Sequence, residues 1–337
     1  MRIKDLIRRI ERTAPPRHAA GWDNCGPQIA GTALDCARLA VALDPLPGIV
    51  EEALDWGAEC ILTHHPLLLA PRLPDRLDDY HRVLSLVLGR GAWLYAAHTS
   101  LDVQAKGPVS HLAESLELTS RRVIEPVKTA RAVLLRLGLE GAEARDAALS
   151  RLSGMPEILS VEPSGARSLD AACFDEDREA LLAACAGQKG EPPRVLSARL
   201  ESPSRDIGFG LVGNLPEPLP FAVFAGLLAT VVERDFWTLA GTIPETVARV
   251  GYCTGSGADL APAAFAMGAD VYLTGDVKYH QALSLDGGLV IDLGHFRLEE
   301  TMMRVFADAL RGELAPTGLE VKYFFGGDPF SVYRPGR

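Results

Sequence analysis

Apolar and polar positions along the chain fall into two periods. The first ~125 residues alternate short apolar runs with amphipathic stretches. Residues 37–43 (ARLAVAL), 59–63 (ECILT) and 92–97 (AWLYAA) read as buried strands. Helices are expected at 47–57, opened by Pro47, and at 76–88. At the N-terminus, MRIKDLIRRIER carries Ile3, Leu6, Ile7 and Ile10 on one helical face. The same grammar returns after residue 207. A helix is expected near 219–233, strands at 236–240, 247–253, 270–274, 288–293 and 319–325, and a helix at 296–311. CTGSG (253–257) opens a further helix. Strands separated by helices predict βαβ units and a mainly parallel sheet.

Between these parts the texture changes. Strands are expected at 131–137, 157–162, 167–174 and 194–200, with helices at 143–153 and 176–186 and Asp175 at an N-cap position. The order βαββαβ is the ferredoxin-like pattern, and GQKGEPP (187–193) is loop chemistry. The predicted fold class is therefore α/β. A discontinuous α/β domain (1–127 and 207–337) carries an inserted ferredoxin-like α+β domain (128–206).

Length and charge narrow the function. The 337 residues suffice for a large core, and a net charge of −10 disfavours direct binding to DNA or anionic lipid. The longest uncharged apolar stretch, Leu219 to Val232, has 14 residues, too few to span a bilayer. The N-terminus lacks a signal-peptide core. Six cysteines (25, 36, 60, 173, 185, 253) form no CxxC pair and lack the context of a nucleophile. They read as reduced, structural thiols in a cytoplasmic protein.

The candidate chemistry sits where the strands end, the place where open α/β sheets bind ligands. His64 and His65 follow the second strand, His98 with Asp102 the third, and His295 a later one; these are four of the eight histidines. Imidazole and carboxylate together suit zinc, manganese or iron. At a strand end before Pro66, two successive imidazoles can splay across one mouth and serve two neighbouring ions; they also suit an ordinary loop. His295 and Glu299 share a helix face, as bridging ligands or as a cap and a first-turn acid. Asp102 can be a ligand or a turn former, and His98 is placed behind it as an orienting group or proton carrier. In TGDVKYH (274–280), Asp276, Lys278 and His280 can line a substrate mouth, Lys278 touching phosphate and His280 carrying a proton, or merely form a turn. Trp22-Asp23-Asn24 is an Asx turn or part of the rim. GSGAD (255–259) is a structural turn or an anion-binding one.

Six strings, GWDNCGPQIAG (21–31), THHPLLL (63–69), HTSLD (98–102), GSGAD (255–259), TGDVKYH (274–280) and DLGHFRLE (292–299), together resemble one family in order and spacing. It is the dinuclear-metal family named for the NGG-one-interacting factor three protein, also called the type II homologue of GTP cyclohydrolase I. The resemblance covers residues 1–127 and 207–337, and the middle segment falls where longer members carry an insert. It implies two divalent metal ions per subunit (zinc, manganese or iron) held by His64, His65, Asp102, His295 and a bridging Glu299. It also implies a homo-oligomer, a ring-shaped hexamer. Ser100 replaces a common Asn, and Phe296-Arg297-Leu298 a more usual Tyr-Ala-Thr, which puts Arg297 beside the site. The expected activity is hydrolysis by metal-activated water of an unidentified small molecule, a nucleotide or cyclic amide being of the right class. The alternative is a non-catalytic metal-storage, metal-delivery or regulatory binding protein.

Overall fold

A computed structural model describes residues 1–103, 106–155, 157–186 and 193–333. The expected loop GQKGEPP lies, up to residue 192, outside the described residues. The strands in chain order begin with β1 (Gly26–Ile29), β2 (Arg38–Ala42), β3 (Cys60–Thr63) and β4 (Trp93–Ala96). They continue with β5 (Thr119–Gly138), β6 (Ile158–Gly165), β7 (Ser168–Phe174) and β8 (Arg194–Pro220). The last are β9 (Thr238–Gly241), β10 (Thr246–Tyr252), β11 (Val271–Thr274), β12 (Leu289–Asp292) and β13 (Glu320–Tyr323). Two compact units result, Met1–Val127 with Gly208–Arg337, and Lys128–Ile207.

The first unit holds a five-stranded sheet in the order β1-β4-β3-β2-β13. Its inner pairs are parallel, and β1 runs antiparallel at the edge. Apolar residues on both faces explain the near-continuous runs in β2 and β3. Leu39 and Val41 meet the helices Ile3–Thr13 and His295–Leu314 through Leu6, Ile10, Met302 and Phe306. Ala40 and Ala42 point the other way, to Val50, Leu54, Val83 and Val87 of the helices Pro47–Asp55 and Asp79–Arg90. This is the period-2 alternation of a strand sandwiched between helical layers. Asp78 caps the second of these helices by accepting from the His81 N–H at 3.1 Å.

The same unit contains β10, β11 and β12 in parallel, flanked by antiparallel β8 and β9. This part is mixed, not mainly parallel as expected. Helical segments Ala261–Ala266 and Tyr279–Leu283 supply the crossovers that parallel pairing needs. At the edge of the sheet, β9 pairs with β12 in the reversed direction.

In the unit Lys128–Ile207 the element order is strand, helix Ala142–Ser153, β6, β7, helix Arg178–Cys185, strand. Its sheet order is β6-β7-β5-β8, around a core of Leu135, Leu137, Leu152, Leu169 and Leu181. β5 and β8 run for 20 and 27 residues, far beyond the expected 131–137 and 194–200. The added lengths are largely solvent-exposed in β5, so they carry no alternating apolar signal. Asp175 does not cap the following helix. A 3₁₀ turn, Asp175–Asp177, intervenes, and the Asp175 carboxylate accepts from the Arg131 N–H at 3.2 Å.

Candidate metal centre

The centre forms at the C-terminal ends of β2, β3 and β4. Past β3, the N–H groups of His64 and His65 both donate to the Leu43 carbonyl at 3.1 Å, tying the pair to the end of β2. The expected splay follows: the two rings lie 5.0 Å apart at 56°. After β4, HTSLD is a single helical turn, His98–Asp102. His98 enters it with φ +31°, and its N–H donates to the His64 carbonyl at 2.8 Å. The 3.6-residue period then sets His98 and Asp102 on one face.

His64 is completely buried, and among the described residues neither of its ring nitrogens has a hydrogen-bond partner. Nε2 faces Asp102 Oδ1 at 3.7 Å and Glu299 Oε1 at 3.5 Å. Glu299 is also buried, and its Oε2 lies 3.1 Å from His65 Nε2 and 2.8 Å from His295 Nε2. One carboxylate thus faces three imidazoles. Burying unpartnered polar atoms is costly, which marks this cluster as unfinished by protein groups alone. Ligand atoms of His64, His65 and His98 lie within 4.8 Å of one another, as do those of His65, His295 and Glu299. Either group is able to hold a metal ion.

Three of the four rings share a further device. His65 Nδ1 meets Asp44 at 2.7 Å, His98 Nδ1 meets Asp23 at 2.8 Å, and His295 Nδ1 meets Asp276 at 2.7 Å. A carboxylate on Nδ1 keeps a proton there and turns Nε2 toward the cluster, so that Nε2 would offer its lone pair once its own proton is lost, the arrangement found behind metal-bound histidines. Asp23 also accepts from the Thr99 N–H at 3.1 Å and the Asn24 N–H at 2.7 Å. Within the Trp22-Asp23-Asn24 string, Asp23 is therefore a support of the centre. The antiparallel pairing of β1 with β4 brings it there, and Gly26 and Pro27 hide that four-residue strand in the sequence. His98 consequently sits among the other rings, 5.4 Å from His64 and 5.6 Å from His65. The sequence reading gave Asp23 only to a turn or rim and did not assign Asp44, whose place just past the predicted strand 37–43 was the available signal.

Charge follows this geometry. Burial works against a charged His65, but Asp44 and Glu299 outweigh it and raise its pKa to about 10. Burial likewise opposes a charged His295, which Glu299 and Asp276 raise to about 9. Burial, opposed by His64, pushes Asp102 up to about 7. Burial disfavours charge on Glu299 as well, but His64 and the hydrogen bonds of His295 and His65 hold it well below the ordinary carboxylate range.

The GSGAD turn makes room for this cluster. Gly255 has φ +65°, and a Cβ there would lie 2.1 Å from Glu299 Oε1. The structural reading of that turn is the one its contacts support, since Gly257 N–H donates to Thr274 Oγ1 at 3.0 Å. A cleft of about 320 Å³ opens beside the centre, lined by Asp44, His65, Asp276, His295, Phe296 and Arg234 among others. His280 and Lys278 do not line it. His280 is exposed on the short helix Tyr279–Leu283, which Lys278 precedes as N-cap. Nor does Arg297 line the cleft.

The sequence model of Duf34/NIF3 (NGG1p interacting factor 3) matches residues 1–327. The chain belongs to the Duf34/NIF3 family. Among curated relatives, a "GTP cyclohydrolase 1 type 2 homolog" of Halalkalibacterium halodurans is 27% identical, with 86% of this chain and 87% of that protein covered. One of the same name from Mycobacterium leprae is 26% identical, covering 95% of this chain and 92% of the relative. The fold is also that of a Bacillus cereus protein related to NIF3, with a TM-score of 0.81, 22% identity and 99% of both chains covered. Reduced HcgD from Methanocaldococcus jannaschii shares it at a TM-score of 0.64 and 21% identity, covering 96% of this chain and 98% of that one. Membership in the NIF3 family and the His/Glu groups fit a metal-binding protein. Among the described residues, no helix is long and apolar enough to cross a membrane.

Proposed function

We propose that this chain is a dinuclear-metal hydrolase. His64, His65, Asp102 and His295 would hold two divalent cations, zinc, manganese or iron, with Glu299 shared between them. The observation that carries this reading is His64, fully buried with two unpartnered ring nitrogens, facing Asp102 and Glu299 across 3.7 and 3.5 Å. Nitrogen and oxygen donors of this kind suit first-row metals better than calcium. When bound, such a pair supplies Lewis-acid chemistry, acidifying water and neutralising an oxyanion. The chain's own part is orientation. Asp44, Asp23 and Asp276 fix the tautomers of three histidines, and Gly255 brings the backbone of the GSGAD turn against the shared carboxylate. His98, turned inward by Asp23, is a further donor beside His64 and His65. We assign no role in the reaction to His280.

The unit Lys128–Ile207 reads as an inserted ferredoxin-like domain. Its β-α-β-β-α-β element order and β6-β7-β5-β8 strand order support this.

The test pairs elemental analysis of protein loaded with zinc, manganese or iron with a screen against phosphoesters, nucleotides and cyclic amides. Two ions per chain and turnover that His65→Ala abolishes are expected. Two ions without turnover on any substrate would favour metal storage or delivery. No metal in the wild-type protein would overturn the reading.

A further inference from the structure

The cleft beside the metal centre contains a cation that the centre does not use. Arg234 lines it next to His295, and its side chain is only 15% exposed. Its guanidinium makes no hydrogen bond within the described residues. The nearest carboxylate oxygen, Asp292 Oδ1, lies at 3.8 Å. That carboxylate is already occupied, accepting from the Gly294 N–H at 2.8 Å and the Val277 N–H at 3.0 Å. A guanidinium offers five donors in a planar fork, and this one faces the cleft with none of them taken up by a hydrogen bond among the described residues.

The surroundings hold that fork in place. The Phe236 ring lies under it, 4.4 Å from the guanidinium carbon to the ring centroid. Gly294 makes room for it. A Cβ at that position would lie 2.4 Å from Nη1 and 2.5 Å from the guanidinium carbon, and the backbone stands at φ +84°. The glycine of DLGHFRLE thus shapes an Arg pocket as well as the entry to a helix. The other acids of the cleft are engaged elsewhere: Asp44 with His65, Asp276 with His295, and Asp328 with the Phe330 N–H at 2.9 Å. Phe296 and Phe330 complete the lining with aromatic surface. A volume of about 320 Å³ belongs to the lower end of small-molecule sites.

We propose that Arg234 is the anion-recognition residue of this cleft. The substrate it selects is a small molecule that carries an oxyanion, phosphate or carboxylate, and a planar ring. The oxyanion accepts two parallel hydrogen bonds from the Arg234 fork. The ring lies against Phe296 and Phe330, and the reacting group is directed to His65 and His295. This inference rests on the hydrolase reading for the direction of the substrate, though not for the anion contact itself.

The experiment uses the full chain, metal-free and metal-loaded, as wild type, Arg234→Gln, Arg234→Lys and Gly294→Ala. Metal content is measured first. Phenyl phosphate, benzoate and inorganic phosphate are then titrated calorimetrically. Arg234 is no metal ligand, so Arg234→Gln should load metal like the wild type. It should bind phenyl phosphate or benzoate at least ~10-fold more weakly in both metal states. Whichever probe binds the wild type more tightly identifies the oxyanion. Arg234→Lys keeps the charge and loses the fork, so it should restore affinity only in part. Gly294→Ala, which crowds the guanidinium, should weaken binding in the same direction. Wild-type affinity for the aryl anions in Arg234→Gln would overturn the proposal even if metal binding is normal. Loss of anion affinity in Arg234→Gln, in a wild-type protein that takes up no metal, would uphold the anion site and sink the hydrolase reading. Inorganic phosphate bound as tightly as phenyl phosphate would overturn the ring contact.

Discussion

In the unit Lys128–Ile207, Arg136 meets Asp170 through two parallel hydrogen bonds of 2.8 and 2.7 Å, and the Arg136 bond holds the Asp170 pKa down to about 2. At the strand ends of the other unit, His64 is buried with both nitrogens unpartnered, and Glu299 faces three imidazoles. Both places concentrate charge, but only the first is complete. A matched ion pair on a surface adds a little stability and asks for nothing more. An unmatched buried cluster is stable only if a ligand completes it, or if the rest of the fold sustains its cost. The contrast separates a structural charge from a functional one without reference to any relative.

The largest effect is expected at the shared carboxylate. Losing residues that merely support a ligand weakens metal sites by ~10–100-fold. Glu299→Ala removes the carboxylate that faces three rings, so it should weaken metal binding by more than ~100-fold, read by equilibrium dialysis and elemental analysis. Unchanged stoichiometry would show that Glu299 holds no ion. Asp44→Asn and Asp276→Asn leave the ligands in place and loosen their orientation. Each should weaken metal binding by ~10–100-fold, with the fold intact by circular dichroism.

The next prediction concerns protons. With pKa values raised to about 10 and about 9, His65 and His295 carry protons at pH 7.5 in the metal-free protein. A metal ligand must be neutral imidazole, so loading expels these protons and affinity rises with pH up to about 9–10. Calorimetry in two buffers of different ionisation enthalpy measures the release; a buffer-independent heat would contradict the assignment. The same shifts give the metal-free fold a stabilising term. A raised histidine pKa contributes in full below the unfolded value of ~6.5 and is lost as pH rises through the folded values. Metal-free protein should therefore melt at lower temperature at pH 10 than at pH 6.5, and metal-loaded protein should lose less.

The smallest effect belongs to the completed pair. Asp170→Asn should lower Tm by no more than ~3 °C and leave metal content untouched. A loss of metal on this change would mean that the two units are energetically coupled.

The buried strands β2, β3 and β4 were legible because helices cover both faces and the runs are apolar throughout. The four clustered histidines were legible because they stand at strand ends, three beyond β3 and β4 and one beyond β12. β1 was not, being four residues with Gly26 and Pro27. The long reach of β5 was not, since its first half is exposed. His280 resembled its neighbours in sequence, yet a turn at Asp276, with φ +57°, carries the chain away while Asp276 stays to hold His295.

The residue types of the centre, their order and their strand-end addresses are written in the chain, because local apolar periodicity fixes where each strand stops. Which carboxylate stands behind which ring is not. Asp23 and His98 are 75 positions apart, Asp44 and His65 are 21, and Asp276 and His295 are 19. Arg234 and the glycine that makes room for it belong to different elements. Only strand pairing and packing bring such groups within hydrogen-bond range, since contact between distant segments is set by the whole core and not by any local pattern.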